Sequence, residues 1–148
     1  MEHDKAVFMQ ELSDFVTEKG LSGREVILYG DIPAVSFYLG MPSAFNPWSD
    51  LASYGIEVMR KDMEKTQAKE ILPVVILEKR YALYLKEGEE GLQNAGYAES
   101  DISYVARDEK FKLIEDFLEN NGCSLIFENE KFGVYDTFSI QSGSNLVQ

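Results

Sequence analysis

The sequence predicts an α/β domain: a layered sandwich with a mostly parallel sheet, helices on both faces and a C-terminal antiparallel hairpin at the sheet edge. Three observations support this fold class. Apolar stripes at helical spacing alternate along the chain with short strand-like runs. Residues 72–77 form an uninterrupted apolar run, which is typical of a parallel strand covered on both faces. Two further strand-like runs flank a polar turn near the C-terminus.

We expect the whole chain, residues 1–148, to form a single domain. Its folded core should span residues 4–140, and residues 141–148 should be a frayed tail. The apolar fraction of 45 % is sufficient for a folded core and argues against disorder.

The first predicted helix covers residues 4–19 and ends at Gly20. A strand over residues 25–29 follows, and its apolar run ends at Gly30. The apolar face of the helix is formed by Phe8, Leu12, Phe15 and Val16.

A short helix over residues 35–39 is predicted after a tight turn. Asp31 stands at the position of a helix N-cap, and Pro33 falls near the first turn, where a missing N–H costs little. The turn follows the carboxyl end of a strand, where open α/β sheets tend to bind ligands. This turn is therefore the first place where the sequence predicts a site.

A loop over residues 40–50 carries two prolines, Phe45 and the only tryptophan, Trp48. Its large apolar side chains either pack over the edge of the core or bind a ligand, and packing is the preferred interpretation. A second main helix over residues 54–69 follows, with Met59 and Met63 on its buried side.

Residues 78–106 carry the weakest pattern, and we expect residues 87–101 within this segment to be an excursion over the surface and the main region of mobility or insertion. Within it, residues 80–85 form either a short helix or an extended segment. A helix beginning at Asp108 then leads to the hairpin strands at 124–127 and 132–135. The apolar face of this last helix is Phe111, Ile114, Phe117 and Leu118.

Composition excludes several classes of partner. The net charge of −12 disfavours binding to nucleic acid and to anionic membrane surfaces. Cys123 is the single cysteine, so the chain has no internal disulfide, and we expect a buried, inert thiol. No apolar run approaches the ~18 residues of a membrane span. Residues 1–5 lack signal-peptide character, so we expect either a cytosolic protein or a fragment of a longer chain.

The sequence contains no recognisable reaction centre. His3 is the only histidine, and no cysteine or histidine cluster has the spacing of a metal site. The single glycine at position 30 does not make a dinucleotide fingerprint. We therefore predict no catalytic residue, no metal site and no cofactor.

Carboxylate and aromatic residues around the first turn remain as candidates for ligand binding. Asp31 is read first as an N-cap, and alternatively as a hydrogen-bonding group for a hydroxylated ligand. Glu57 is a further carboxylate of interest, although nothing in the sequence brings two carboxylates together. The candidate ligand-binding residues are Tyr29, Asp31, Ser36, Tyr38, Trp48 and Asp50.

Several of these segments resemble the soluble C-terminal domain of polytopic bacterial membrane glycosyltransferases, similar to the dolichyl-phosphate-mannose protein mannosyltransferase class. The resemblance covers most of the chain except residues 80–106. The segments that carry it are the helix at residues 4–19, Val26–Pro33, Phe37–Gly40, the loop Pro42–Trp48, Pro73–Leu77, the helix Phe111–Gly122 and the hairpin Phe127–Tyr135.

The resemblance implies a small α/β domain on the extracytoplasmic face of the membrane, following a bundle of membrane helices in a longer protein. The family's catalytic acids lie in loops of the membrane part, so none transfers to this chain and the isolated domain should be inactive. It implies as partners the membrane-embedded remainder of the polypeptide and a glycan or protein acceptor.

Three function classes therefore stay open. The first is a non-catalytic accessory domain of a membrane glycosyltransferase that uses a lipid-linked sugar donor. The second is a stand-alone binding module for a carbohydrate or a protein, which would place the chain in the cytoplasm. The third is a small carboxylate-dependent enzyme that uses Asp31 and a neighbour.

Overall fold

The computed structural model describes residues 2–30, 32, 35–45 and 54–137. The predictions made for Asp31, Pro33, Trp48, Asp50 and the C-terminal tail fall outside the described residues. Within the described part, the chain is an α/β fold with six helices and a four-stranded mixed sheet. The elements are α1 (Glu2–Glu18), β1 (Val26–Tyr29), α2 (Val35–Leu39), α3 (Ile56–Gln67), β2 (Val74–Glu78), α4 (Lys79–Asn94), α5 (Glu99–Ala106), α6 (Glu109–Asn120), β3 (Ser124–Glu128) and β4 (Phe132–Asp136).

The strand order is β1-β2-β4-β3. β1 and β2 are parallel, with Val26 opposite Val74, whereas β2 pairs with β4 and β4 with β3 in antiparallel fashion. The prediction of a mostly parallel sheet is therefore wrong, although the antiparallel C-terminal hairpin is present. The reason is that β4, buried at every position, lies between β2 and β3 in the sheet interior, so only one strand of the hairpin, β3, is an edge strand.

Side chains of the strands alternate between two apolar clusters, as the period of two in a strand requires. Ile27 and Val75 belong to a cluster that includes residues of α3, α4, α5 and α6, and Leu28 and Ile76 to one that includes residues of α1 and α2. Val74 to Leu77 are all fully buried. Burial on both sides explains why this strand reads as an uninterrupted apolar run.

The prediction that residues 87–101 are an excursion over the surface is wrong, because these residues belong to two packed helices, α4 and α5, and to the turn between them. The helical alternative for residues 80–85 is the one observed. The helical period of these residues is difficult to recognise in the sequence, because Gly88, at φ 70°, kinks α4 and interrupts the period of its buried residues. The buried residues of the two helices are Tyr81, Ala82, Gly91, Leu92, Ile102 and Val105.

Two tight contacts hold the ends of β1. Before the strand, Arg24 donates from Nη2 to Oδ1 of buried Asp136 at 2.9 Å and to the carbonyl of Leu72 at 2.8 Å. After the strand, Gly30 has φ 108° and lies against the side chain of Glu78. A Cβ on Gly30 would meet the Cβ of Glu78, so this close approach requires glycine. Among the described residues, no helix is long and apolar enough to cross a membrane.

Candidate functional site

A hydrogen-bonded cluster lies where β1 ends and α6 begins. The hydroxyl of Tyr29, the last residue of β1, is 2.8 Å from Oδ1 and 2.7 Å from Oδ2 of Asp108. The hydroxyl of Tyr81 in α4 donates to Oδ2 of the same carboxylate at 3.1 Å. Asp108 is also the N-cap of α6, because its Oδ1 accepts the backbone N–H of Phe111 at 3.1 Å. One carboxylate thus joins β1, α4 and α6.

Aromatic packing fixes the geometry of this cluster. The rings of Tyr29 and Tyr81 meet edge to face with centroids 5.0 Å apart, and Phe111 packs on both rings at 5.9 and 4.7 Å. All three side chains are buried. Aromatic pairs stabilise a fold by more than their buried area alone accounts for. The cluster is therefore held in place by ring packing as well as by hydrogen bonds.

Electrostatics keep both tyrosine hydroxyls protonated. Burial, followed by the hydrogen bond to Asp108, raises the pKa of Tyr29 far above its ordinary value. Burial and the nearby Asp108 charge raise the pKa of Tyr81 in the same direction. Both residues therefore act as hydrogen-bond donors near neutral pH, and neither is suited to accept a proton.

A groove of about 500 Å³ opens beside the cluster, and we call it the Tyr104 groove; it is lined by Ser100, Ser103, Tyr104, Arg107 and Asp108. Tyr104 is 54 % exposed, so its ring is available to a ligand. The guanidinium carbon of Arg80 lies 5.6 Å from the Tyr104 ring centroid and 5.1 Å from that of Tyr81. Asp108 thus belongs both to the buried cluster and to the groove, and the exposed ring of the groove has a cation against it.

The candidate residues from the sequence are distributed unevenly around this geometry. Tyr29 lies in the cluster beneath the groove. Ser36 accepts a hydrogen bond from the hydroxyl of Ser43 at 3.3 Å, and Tyr38 on the same helix α2 is 53 % exposed. α2 packs with α1 through the other apolar cluster, so these two residues are not among those that line the groove. Asp31, Trp48 and Asp50 lie outside the described residues.

Sequence reasoning missed the residues that line the groove. Asp108 was visible only as the start of a helix, because an aspartate before an apolar helical stripe predicts a cap. Nothing in the sequence joins it to Tyr29, which lies 79 residues away. Tyr104 falls in the segment 78–106, whose helical pattern was not recognised, and Arg107 comes directly after it, so no local signal was available for either residue.

No metal site is apparent in the part of the chain that the structure describes, since no group of three or more His, Cys, Asp or Glu residues converges there. Cys123 is half-buried; burial, and secondarily the charge of Asp136, raises the pKa of its thiol to about 11. The sequence predicted a buried, inert thiol: burial is only partial, whereas the raised pKa agrees with low reactivity.

Comparison with protein-family models, with curated proteins and with solved structures finds no match to this chain. Functional reasoning therefore rests on the geometry of the cluster and of the Tyr104 groove, together with the sequence motifs.

Proposed function

We propose that this chain is a non-catalytic accessory domain of a membrane glycosyltransferase that uses a lipid-linked sugar donor, and that it engages a glycan or a glycan-bearing acceptor in the Tyr104 groove. The observation that carries the binding role is the lining of this groove. It combines a half-exposed tyrosine ring with two serine hydroxyls and one arginine. Binding sites for small polar ligands use this combination of a flat apolar surface with a few converging polar groups.

The Tyr104 ring is suited to lie against the apolar face of a sugar. Its exposed fraction leaves ring surface open, while the Arg80 guanidinium lies over the ring and limits its motion. Arg80 is itself held by Glu78, whose Oε1 accepts from Arg80 Nε at 3.1 Å. A braced ring loses less conformational entropy on binding than a free one.

The hydrogen bonds that Asp108 accepts within the protein support the non-catalytic part of the proposal. Glycoside chemistry with two carboxylates needs one to act as an acid and the other as a base or nucleophile. Asp108, the carboxylate in the groove, already accepts from Tyr29, Tyr81 and the N–H of Phe111. Its place in the fold is that of a structural acceptor, which favours binding over turnover.

The membrane context comes from the motif resemblance. It implies that the chain's partner is the membrane-embedded remainder of the same polypeptide and that the domain lies on the extracytoplasmic face of the membrane, as a layered sandwich with helices on both faces of the sheet. An antibody against this domain, used on fractionated cells of the source organism, tests this part. A membrane-bound product much larger than 16.8 kDa is expected. A soluble product near that mass would favour a stand-alone cytoplasmic binding module.

The binding role has a separate test. Amide chemical shifts of the isotope-labelled domain are recorded against neutral and acidic oligosaccharides. At least one oligosaccharide should shift the resonances of residues 100–108, and Tyr104→Ala should weaken that binding about tenfold or more. Tyr38→Ala is the matched control, because Tyr38 is equally exposed, at 53 %, and lies on α2. A panel without any shift in residues 100–108, or an equal loss in both variants, would contradict the role.

A further inference from the structure

The hydrogen-bonding groups of the Tyr104 groove are unequal in kind. Asp108 brings the carboxylate of the groove, and a carboxylate has about four acceptor sites. Three donors already use this carboxylate: the hydroxyls of Tyr29 and Tyr81 and the N–H of Phe111. A ligand in the groove therefore finds little free acceptor capacity on Asp108.

Donors remain available in the same groove. Arg107 is exposed, and within the described part of the chain its side chain has no ion pair and no hydrogen bond. Ser100, Ser103 and Tyr104 add hydroxyl groups. A guanidinium offers five N–H donors in a planar fork that matches a carboxylate or a phosphate. The hydroxyls can both donate and accept, so the distinctive feature of the groove is one uncommitted guanidinium fork beside a carboxylate with little free acceptor capacity.

Arg80 does not duplicate Arg107. Its Nε donates to Glu78, and its guanidinium lies over the rings of Tyr81 and Tyr104. Asp101 acts on Arg80 as a further nearby negative charge. Arg80 is therefore already committed within the protein, whereas Arg107 retains its donors for a ligand.

From these commitments we infer that the ligand of the Tyr104 groove carries an anionic oxygen group, a carboxylate or a phosphate on a sugar, which Arg107 binds in bidentate fashion. This inference rests on the proposed binding function and narrows its ligand class. Exposed acidic residues at positions 99, 101 and 109 are adjacent in sequence to the groove residues Ser100 and Asp108, and the chain carries a net charge of −12. This negative charge repels an anionic ligand at long range. Binding of the ligand therefore depends on direct contact between its anionic group and the guanidinium of Arg107.

The test compares three monosaccharides of matched size: glucose, glucuronate and glucose 6-phosphate. Titrations followed by the amide shifts of residues 100–108 give an affinity for each. We expect glucuronate, glucose 6-phosphate or both to bind at least tenfold more tightly than glucose. Preference for one of the two anions identifies the carboxylate or the phosphate as the recognised group.

Variants separate Arg107 from overall charge. Arg107→Gln should reduce the affinity for the anionic sugar to that for glucose, and Arg107→Lys should restore part of it because it keeps the charge without the fork. Arg60→Gln is the control, because it makes the same change in net charge at an exposed arginine on α3. An equal loss in Arg60→Gln would overturn the inference.

Two outcomes distinguish this inference from the proposed function. If glucose binds in the groove as tightly as its two anionic counterparts, the inference is overturned while the binding role stands. If none of the three sugars shifts residues 100–108, and the oligosaccharide panel is also without effect, both are overturned.

Discussion

The hydroxyl of Tyr29 lies within 2.8 Å of both carboxylate oxygens of Asp108, 79 residues further along the chain. This contact joins the carboxyl end of β1 to the N-cap of α6. Arg107 immediately precedes Asp108, Tyr104 lies four residues before it, and both line the groove with it. The contact therefore fixes not only the sheet and the helix but also the wall of the candidate binding site.

Removing the Tyr29 hydroxyl tests the importance of this contact. Tyr29→Phe keeps the packed ring and deprives the Asp108 carboxylate of one donor. We expect the free energy of unfolding, measured with urea, to fall by about 1–3 kcal/mol, since the hydrogen bond is to a charged group. Tyr38→Phe removes a half-exposed hydroxyl and should change it by less than about 0.5 kcal/mol. Equal effects of the two variants would show that the contact contributes nothing.

The close approach of β1 and β2 at Gly30 gives a second prediction. We expect Gly30→Ala to lower the free energy of unfolding for two reasons. Its φ is 108°, and the new Cβ would lie 2.7 Å from Oε1 of Glu78. Gly40→Ala also falls at a positive φ, 69°, but within the left-handed region, and its new Cβ meets no atom within 4 Å. Backbone strain alone costs about 1–2 kcal/mol, so Gly40→Ala should lose that amount and Gly30→Ala clearly more. Thermal or urea unfolding that ranks the two variants equally would contradict the steric account.

Acid should weaken a bridge between α4 and β3. Glu128 accepts from Lys79 at 2.8 Å and from Lys86 at 2.7 Å, and these hydrogen bonds, with Lys79 first, lower its pKa. A carboxylate with a depressed folded-state pKa stabilises the fold above its unfolded pKa, near 4.3, and loses this effect as the pH falls through the folded value. The stability difference between wild type and Glu128→Gln should therefore be present at neutral pH and vanish in acid.

The control for this pH dependence is Glu90→Gln, at an exposed position on α4, since in the described part of the chain Lys79 and Lys86 pair with Glu128 and not with Glu90. Its stability should run parallel to that of the wild type between pH 7 and pH 3. A Glu128→Gln difference that stays constant over this range would contradict the linkage, because it would then not arise from the titration of Glu128.

The thiol of Cys123 should react slowly. With a pKa of about 11 in place of its ordinary 9.0, the thiolate fraction near pH 8 falls by about 100-fold. The rate of reaction with an aromatic disulfide reagent should be lower by a similar factor than for the urea-unfolded chain. It should also rise with pH up to about 11. A native rate equal to the unfolded rate would show that burial does not protect this thiol.

Local pattern was sufficient for several elements. The apolar stripe of residues 111–118 predicted α6, and the uninterrupted run at residues 74–77 predicted a strand buried on both sides. The polar turn between residues 128 and 132 predicted the hairpin. Each of these signals arises from neighbours in sequence whose burial follows the period of their own element, so they can be read without knowing the partner.

The local sequence pattern was not sufficient where the helical period is interrupted or where the position of an element depends on its packing partners. Gly88 interrupts the period of α4, so residues 78–106 did not present a continuous stripe. The position of β4 beside β2 depends on which strand fills the interior of the sheet, and a hairpin alone does not specify which of its strands lies outside. That choice is made by the packing of the whole chain.

The sequence by itself determined the α/β class, most of the element order and the expectation of a site near the end of β1. Only the tertiary structure decided the mixed sheet, the packing of α4 and α5, and the meeting of Tyr29, Tyr81 and Asp108 above which the Tyr104 groove opens. The physical reason is that the periodicity of a sequence indicates which residues are buried but not what they pack against. A hydrogen bond between residues 79 positions apart depends on which surfaces pack together, and only the folded chain determines that.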